Sequence, residues 1–196
     1  DPYWGFGSNV NNGIFFQGQC CTNESPIGGL FRVTRSTIRN VGDGLPTANL
    51  KDADVLLSGN VIEPTFSGAS TAALLDTRYE FSSNDIALQT IVSYAGFYYY
   101  GGGENSRSSL HIKDNKVSGY VGMSFEQQFD EGMQCRLQAN NVTNTELLGI
   151  YLGAGTTGCT VVGGPSKTTV VDEGTGNVLV GVNNMGSGVG PAGGGN

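Results

Sequence analysis

Short apolar segments bounded by glycine or asparagine recur along the chain. Five of them share the pattern apolar-x-x-(Asn or Ser)-x-apolar, with a polar residue at the fourth place. These polar residues are Ser36, Asn60, Asn84, Asn115 and Asn140, and they follow one another at intervals of 24, 24, 31 and 25 positions. A polar turn residue that returns at a nearly constant interval is typical of stacked repeats. The pattern therefore predicts a solenoid in which each coil contributes one such turn.

A second apolar segment repeats at a similar interval, and each copy begins with glycine. The copies are 13–16, 96–99, 122–125 and 149–152, and the last three are offset by 26 and 27 positions. Two strands that share one period indicate stacked coils, because the strands of a sandwich carry no such self-similarity. Apolar residues three and four positions apart never gather into a helical stretch. We therefore expect an all-β parallel β-helix of about six to seven coils with a period of about 24–27 residues.

The alternation of side chains along each strand predicts the interior of this solenoid. Successive residues of a strand point to opposite faces, so one position of each repeat should form an inward column. Asparagine at the following bend tolerates left-handed backbone angles, and its side chain can bond to the rungs above and below. The predicted inward column consists of Leu57, Phe81, Ile112 and Leu137.

These residues resemble the pectin-lyase-like superfamily, and especially its NosD-type coils, in which a Gly-Ile-x-Leu strand and an Asn-x-apolar turn recur. The resemblance covers residues 13–182 and is specific for the architecture. It implies a right-handed coil, three strands per rung and a dry aliphatic interior. That superfamily includes lyases, hydrolases, epimerases, phage tailspikes, adhesins and inert surface proteins, so the fold alone assigns no activity.

The chain of 196 residues is long enough for one continuous core. We expect a single β-helix domain over residues 1–185 and a flexible Gly-rich tail over residues 186–196. Residues 1–12 offer no helix pattern, so no N-terminal cap of the kind that solenoids need is recognisable. We expect either a preceding segment or another chain to cover the first rung. Residues 17–29 form an insertion, and residues 87–111 make one rung about seven residues longer than the rest, with a projecting loop at 101–106. Such loops are where solenoids usually add ligand contacts.

The charge balance limits the partners. The chain has 10 Lys and Arg, 17 Asp and Glu, and a formal net charge of −7. Nucleic acid is not an expected partner, because its binding needs a basic surface. The sequence contains no apolar run of the length that spans a membrane. The acidic balance is compatible with neutral glycans or with Ca²⁺, and we expect no cofactor unless Ca²⁺ is bound.

Cys135 and Cys159 are 24 positions apart in the sequence, which equals one coil. They should therefore lie on neighbouring rungs and are candidates for a disulfide, although two buried thiols remain the alternative. A disulfide would favour an oxidising compartment and hence a secreted or cell-surface protein. The pairing of Cys20 and Cys21 is left open.

An aromatic strip is the first candidate binding site. In the glycine-led strands, the residue after the inward position should face outward, which places Phe15, Tyr98 and Tyr151 on one outer surface, with Tyr100 nearby. Exposed aromatic rings can stack on sugar rings or contact another protein. The alternative is that the insertion at 17–29 or the loop at 101–109 folds over the strip.

The sequence also contains candidate catalytic residues, although it lacks a recognisable catalytic motif. A polygalacturonase-type hydrolase would need several convergent aspartates, and its motifs are absent, while the only histidine, His111, is expected on the solvent face of a strand. Lyases of the superfamily that this chain resembles use an Arg or Lys base, with Ca²⁺ held by acidic side chains. The candidates for these roles are Asp76 and Arg78, which alternate on one predicted strand, and Glu126, which follows another. A solvated charged face is the alternative.

We expect a non-catalytic extracellular or cell-surface β-helix with a structural, adhesive or glycan-binding role. Its expected partners are polysaccharide or further copies of itself, stacked head to tail. Two alternatives remain open. One is a polysaccharide lyase or epimerase that acts on acidic glycan with Ca²⁺, and the other is a fragment of a phage tailspike or autotransporter passenger.

Overall fold

The computed structural model describes residues 13–17, 28–88, 95–99, 107–119, 121–125, 133–143, 148–164 and 168–185. Within these ranges the secondary structure consists of β-strands and turns. The strands are β1 (Phe16–Gln17), β2 (Gly29–Thr34), β3 (Thr37–Lys51), β4 (Ala53–Ser58), β5 (Val61–Leu75), β6 (Arg78–Ser82), β7 (Asp85–Ala87), β8 (Ala95–Tyr99), β9 (Ser109–Lys113), β10 (Lys116–Ser118), β11 (Val121–Phe125), β12 (Gln134–Thr143), β13 (Leu148–Leu152), β14 (Thr160–Gly163), β15 (Thr169–Asp172), β16 (Val178–Val180) and β17 (Asn183–Asn184).

Parallel pairing arranges the strands in three columns. Column I stacks β2, β4, β6, β9, β12, β14 and β16. Column II stacks the first parts of β3 and β5 with β7, β10 and the last part of β12. Column III stacks β1, the last parts of β3 and β5, and then β8, β11, β13, β15 and β17. The chain thus forms three strands per rung.

The register in column I measures the length of each turn. From β2 to β14 the paired residues are 24, 24, 31, 25 and 24 positions apart, and the last pairing, β14 with β16, is 18 positions apart. About five full turns are therefore followed by a shorter one. The predicted all-β parallel solenoid is confirmed, including the longer coil between Asn84 and Asn115.

The core lies inside the three columns. The predicted column of Leu57, Phe81, Ile112 and Leu137 is stacked in register and fully buried. Aromatic rings fill part of the interior as well. Phe97 has ring centroids 5.3 and 5.8 Å from those of Phe81 and Phe125. The interior is therefore partly aromatic, in contrast to the aliphatic interior that the resemblance implies.

A ladder of asparagines closes the corner between columns I and II. The Oδ1 atom of Asn84 accepts hydrogen bonds from the backbone nitrogen and the Nδ2 atom of Asn60, both at 2.9 Å. Its own Nδ2 donates to Asn115 Oδ1 and to the carbonyl oxygen of Leu57. Asn115 and Asn140 repeat this arrangement. Ser36 begins the ladder, where only its backbone nitrogen donates to Asn60.

Several expectations fall outside the described ranges. These are the missing cap at residues 1–12, the insertion around Cys20 and Cys21, the glycine-rich loop at 101–106 and the tail at 186–196.

Candidate functional site

The aromatic strip lies on the outer face of column III. Tyr98 pairs with Ser124, and Ser124 pairs with Tyr151, so the two tyrosines lie two rungs apart on the same face. Phe15 immediately precedes β1 and its side chain is 40% exposed. Tyr100 lies outside the described residues. The predicted shared face of Tyr98 and Tyr151 follows from the in-register stacking.

Much of this outer face is withdrawn from solvent. Ser70 and Ser124, which are the rung neighbours of Tyr98, are both buried. Tyr98 and Tyr151 are half-buried, and Tyr151 donates a hydrogen bond to Glu173 Oε2 at 2.8 Å. The tyrosines therefore offer only part of their rings to a ligand in this arrangement.

Asp76 and Arg78 do not alternate on one strand, which corrects the sequence-based expectation. Asp76 lies in the bend between β5 and β6 with a φ of 47°, whereas Arg78 is the first residue of β6. The left-handed backbone conformation turns the chain at the corner, so the two side chains leave different parts of the rung. Glu126, the third catalytic candidate, lies outside the described residues.

Asp76 is paired with a residue that sequence reasoning did not single out. Arg107 Nε lies 2.8 Å from Asp76 Oδ1, and Arg107 Nη2 lies 3.2 Å from Oδ2. The hydrogen bond to Asp76 raises the pKa of Arg107. The two residues are 31 positions apart, the same interval as that between Asn84 and Asn115. Applying the longer repeat interval to Asp76 would have identified this pair.

The outer face of column I is more open. A shallow groove of about 220 Å³ crosses its first three rungs. Leu30 and Leu56 contribute apolar surface, and the charged lining residues are Arg32, Asp54, Arg78 and Glu80. These side chains come together because alternate residues of β2, β4 and β6 point outward and the strands are in register.

Glu80 is the centre of an ionic cluster beside this groove. Its carboxylate lies 3.1 Å from Lys113 Nζ and 3.7 Å from Arg78 Nη2, and it accepts a hydrogen bond from Ser82. Burial opposes ionisation, but the hydrogen bonds from Lys113 and Ser82 and the two positive charges outweigh it and lower the pKa of Glu80. His111 pairs with Glu80 in register and faces outward, as predicted, although it is half-buried.

A disulfide joins Cys135 to Cys159. The bond links β12 to the residue preceding β14 and lies among the core side chains. The predicted pairing of Cys135 with Cys159 is confirmed.

The described ranges contain no group of three or more His, Cys, Asp or Glu residues placed to hold a metal ion. No helix in the same ranges is long and apolar enough to cross a membrane.

Comparison of the chain with protein-family models, with curated proteins and with solved structures finds no match in any of the three.

Proposed function

We propose that this chain is a non-catalytic extracellular or cell-surface β-solenoid that binds glycan on the outer face of column I. The groove across β2, β4 and β6 carries the proposal, because it combines apolar side chains with hydrogen-bonding groups in one shallow, open channel. A sugar ring has an apolar C–H face and a polar edge of hydroxyl groups. Leu30 and Leu56 suit the first, and Arg32, Asp54 and Arg78 suit the second.

The state of the catalytic candidates supports a non-catalytic role. A lyase of the superfamily that this chain resembles would use an acidic side chain to hold Ca²⁺ and a basic side chain to remove a proton. Asp76 already forms a two-point ion pair with Arg107. Its carboxylate is therefore engaged with a protein partner of opposite charge rather than open to a Ca²⁺ ion.

The disulfide supports the proposed location. Disulfides such as Cys135–Cys159 are rare in the cytosol, where thiols are kept reduced. They form and persist in oxidising compartments such as the cell exterior. Membership in the pectin-lyase-like superfamily, with its right-handed coil, is part of the same proposal. The asparagine ladder and the three columns support it.

The proposal is tested by measuring retention of the purified chain on immobilised polysaccharides, both neutral and charged. We expect retention by at least one glycan and its loss in Leu56→Ser and Leu30→Ser. Val180→Ser is the matched control, since Val180 is exposed on the same column at the far end from the groove. Absence of retention across the panel, with circular dichroism showing a folded protein, would overturn the proposal.

The lyase alternative has its own test. The same polysaccharides are incubated with the chain, with and without Ca²⁺, and the absorbance of unsaturated products is followed. We expect no product under either condition. Product that requires Ca²⁺ and disappears in Arg78→Ala would establish the alternative.

Head-to-tail association of copies is a second proposal, supported by the last rung. Leu179 and Val182 pack against the core there but remain only half-buried. A second copy could cover them and extend the parallel column beyond β16. Light scattering after size-exclusion chromatography should then show a mass that grows with concentration, and Leu179→Lys should abolish this growth. A constant monomer mass would exclude it.

A further inference from the structure

The asparagine ladder limits where an N-glycosylation sequon can lie on this chain. Each ladder residue is followed, two positions later, by an inward apolar residue of column II. These residues are Ile38, Ile62, Ile86, Val117 and Val142, and all five are buried. The sequon Asn-x-Ser/Thr needs a hydroxyl group at that second position. The packing of the core therefore excludes the ladder asparagines themselves as acceptors.

The position immediately after each ladder residue is different, because its side chain points outward. The side chain two residues further along the strand points to the same outer face of column II. The outward row consists of Thr37, Val61, Asp85, Lys116 and Asn141. Asn141 is the one asparagine in this row, and Thr143 lies two positions after it. Strand β12 therefore carries a complete sequon, residues 141–143, with both functional side chains on its outer face.

The outward row is open to solvent on the rungs before Asn141. Val61 is 38% exposed, and the side chains of Lys116 and Asp85 are 59% and 49% exposed where they form an ion pair. Lys116 is the rung neighbour of Asn141. Asn141 and Thr143 are half-buried, whereas Val142 between them is buried. A group attached to Asn141 therefore leaves the strand on the solvent side, away from the core.

The disulfide is an independent indication of the compartment in which this segment folds. Cys135 and Cys159, with a sequence separation of 24, enclose the sequon within one covalent loop. Disulfides form in the oxidising lumen of the secretory route, and eukaryotic cells attach N-linked glycans in the same compartment. One loop of the chain thus contains both the acceptor motif and a bond that is typical of that compartment.

We propose that Asn141 is an N-glycosylation site whose glycan lies on the outer face of column II. The proposal rests on the proposed extracellular location and does not require glycan binding by column I. The donor is an oligosaccharide linked to a lipid diphosphate. Asn141 Nδ2 forms a bond to the anomeric carbon, the bond from that carbon to the diphosphate oxygen breaks, and the lipid diphosphate leaves as Nδ2 gives up one proton. The amide nitrogen keeps its second hydrogen and can still donate it within the fold.

The position of the glycan leaves the proposed ligand groove accessible. A glycan is bulky and hydrophilic, so it shields the surface around its attachment point. Asn141 lies in column II on the rung of β12, whereas the groove crosses the outer face of column I on β2, β4 and β6. Modification of Asn141 is therefore compatible with ligand binding in the groove.

The test is expression of the full chain behind a cleavable secretion signal in a eukaryotic cell, in the Ser25→Ala background. That change removes the other sequon, residues 23–25, which lies outside the described residues. We expect the secreted, disulfide-bonded chain to carry a glycan that peptide N-glycosidase removes, leaving aspartate at position 141. Thr143→Val keeps Asn141 and the shape of residue 143, and should abolish the shift in gel mobility. Thr143→Ser should retain the shift.

The matched control places a sequon on the neighbouring rung of the same outward row. Lys116→Asn, combined with Thr143→Val, creates an acceptor that uses Ser118 as its hydroxyl residue. We expect the gel shift to return in a folded protein, because Lys116 is exposed. A glycan on this variant together with an unmodified Asn141 in the parent chain would overturn the assignment of Asn141.

The outcomes separate this inference from the proposed function. An unmodified Asn141 in the secreted, disulfide-bonded chain would make the inference wrong and leave glycan binding by column I untouched. A modified Asn141 with no retention on polysaccharides would have the opposite meaning. If the chain accumulates inside the cell, mass spectrometry of its disulfide-bonded fraction gives the same information about position 141. Modification confined to chains that lack the disulfide would show that the glycan is incompatible with the fold, and would also overturn the inference.

Discussion

At the scale of single residues, the buried polar groups divide into satisfied and unsatisfied ones. The ladder asparagines are satisfied, since each side chain both accepts from and donates to neighbouring rungs. A buried amide with all its partners stabilises a unique register, whereas losing it leaves several groups without a partner. The ladder is therefore the residue-level feature that holds the coils in their register.

Replacement of one ladder member should be costly. In Asn84→Ala, the backbone nitrogen and Nδ2 of Asn60 lose their acceptor, and the carbonyl of Leu57 loses its donor. We expect the free energy of unfolding to fall by about 3 kcal/mol or more, since each buried unsatisfied group costs about 1–3 kcal/mol. Urea denaturation measures this change. Asn183→Ala, at an exposed position, is the control and should change stability by less than about 0.5 kcal/mol.

Asp43 is the contrasting case, because its carboxyl is fully buried. Ser67 donates a hydrogen bond to Oδ1, while Oδ2 has no hydrogen-bond partner in the described part of the chain. Burial raises the pKa of Asp43, and the hydrogen bonds from Ser67 offset this only in part. A carboxyl whose pKa is raised by folding stabilises the fold when protonated and loses that contribution as pH rises through the folded-state pKa.

The Asp43→Asn variant should therefore be more stable than the parent chain at pH 7. Asparagine has a similar shape to aspartate but brings no negative charge into the core. The difference should shrink as pH falls toward 4 and vanish below the ordinary carboxyl pKa, where both side chains are neutral. Thermal unfolding across this pH range measures it. A variant that is less stable than the parent at pH 7 would show that the ionised carboxylate is compensated.

At the scale of strands, glycines in several column III strands have a steric role. A Cβ added to Gly68, Gly96 or Gly122 would lie 2.2–2.8 Å from the carbonyl oxygen of the glycine on the next rung. It would also meet a β-branched side chain of column II, such as Val142 against Gly122. The glycines are therefore required by the close approach of successive rungs at this corner.

Gly122→Ala should destabilise the protein more than the same substitution at a glycine that has a positive φ but no close neighbours. The new methyl would lie 2.1 Å from Val142 Cγ1 and 2.2 Å from Gly149 O, so the rungs would have to separate. We expect a loss of roughly 3 kcal/mol or more. Gly158→Ala is the comparison, since its φ is 66° with nothing within 4 Å, and should cost about 1–2 kcal/mol. Equal costs in urea denaturation would refute the steric explanation.

At the scale of the whole molecule, the disulfide secures the last part of the solenoid. Cys135 and Cys159 lie on adjacent rungs, with a sequence separation of 24. The strands beyond them, β15 to β17, are short, and the turn from Thr160 to Val178 is shorter than the described turns before it. The covalent bond therefore links the shorter terminal rungs to the regular coils.

Cys135→Ala with Cys159→Ala should lower the free energy of unfolding by about 3 kcal/mol, as expected for opening a loop of 24 residues. Hydrogen exchange should show the largest loss of protection in β12 to β16. A reductant should destabilise the parent chain by a similar amount and affect the double variant much less. Equal stability of the parent and the double variant would mean that packing alone holds these rungs.

The amount that sequence predicted differs between the fold and the candidate site. The columns of Leu57, Phe81 and Ile112, and the disulfide partners, followed from the repeat interval because stacking brings equivalent positions together. The position of Asp76 was wrong, because its left-handed bend depends on the corner where one column passes to the next. Its pairing with Arg107 depended on a coil that is longer than its neighbours.

The sequence by itself determined the architecture of this protein: the period, the inward column and the asparagine turns. Each coil has the same local requirements, so the same residue types recur at equivalent positions of every repeat. Only the tertiary structure decided which outer face is open and how much of Tyr98 and Tyr151 is exposed. Those properties depend on residues brought together from different coils. The sequence pattern of one coil does not show which of its residues the neighbouring coils leave exposed.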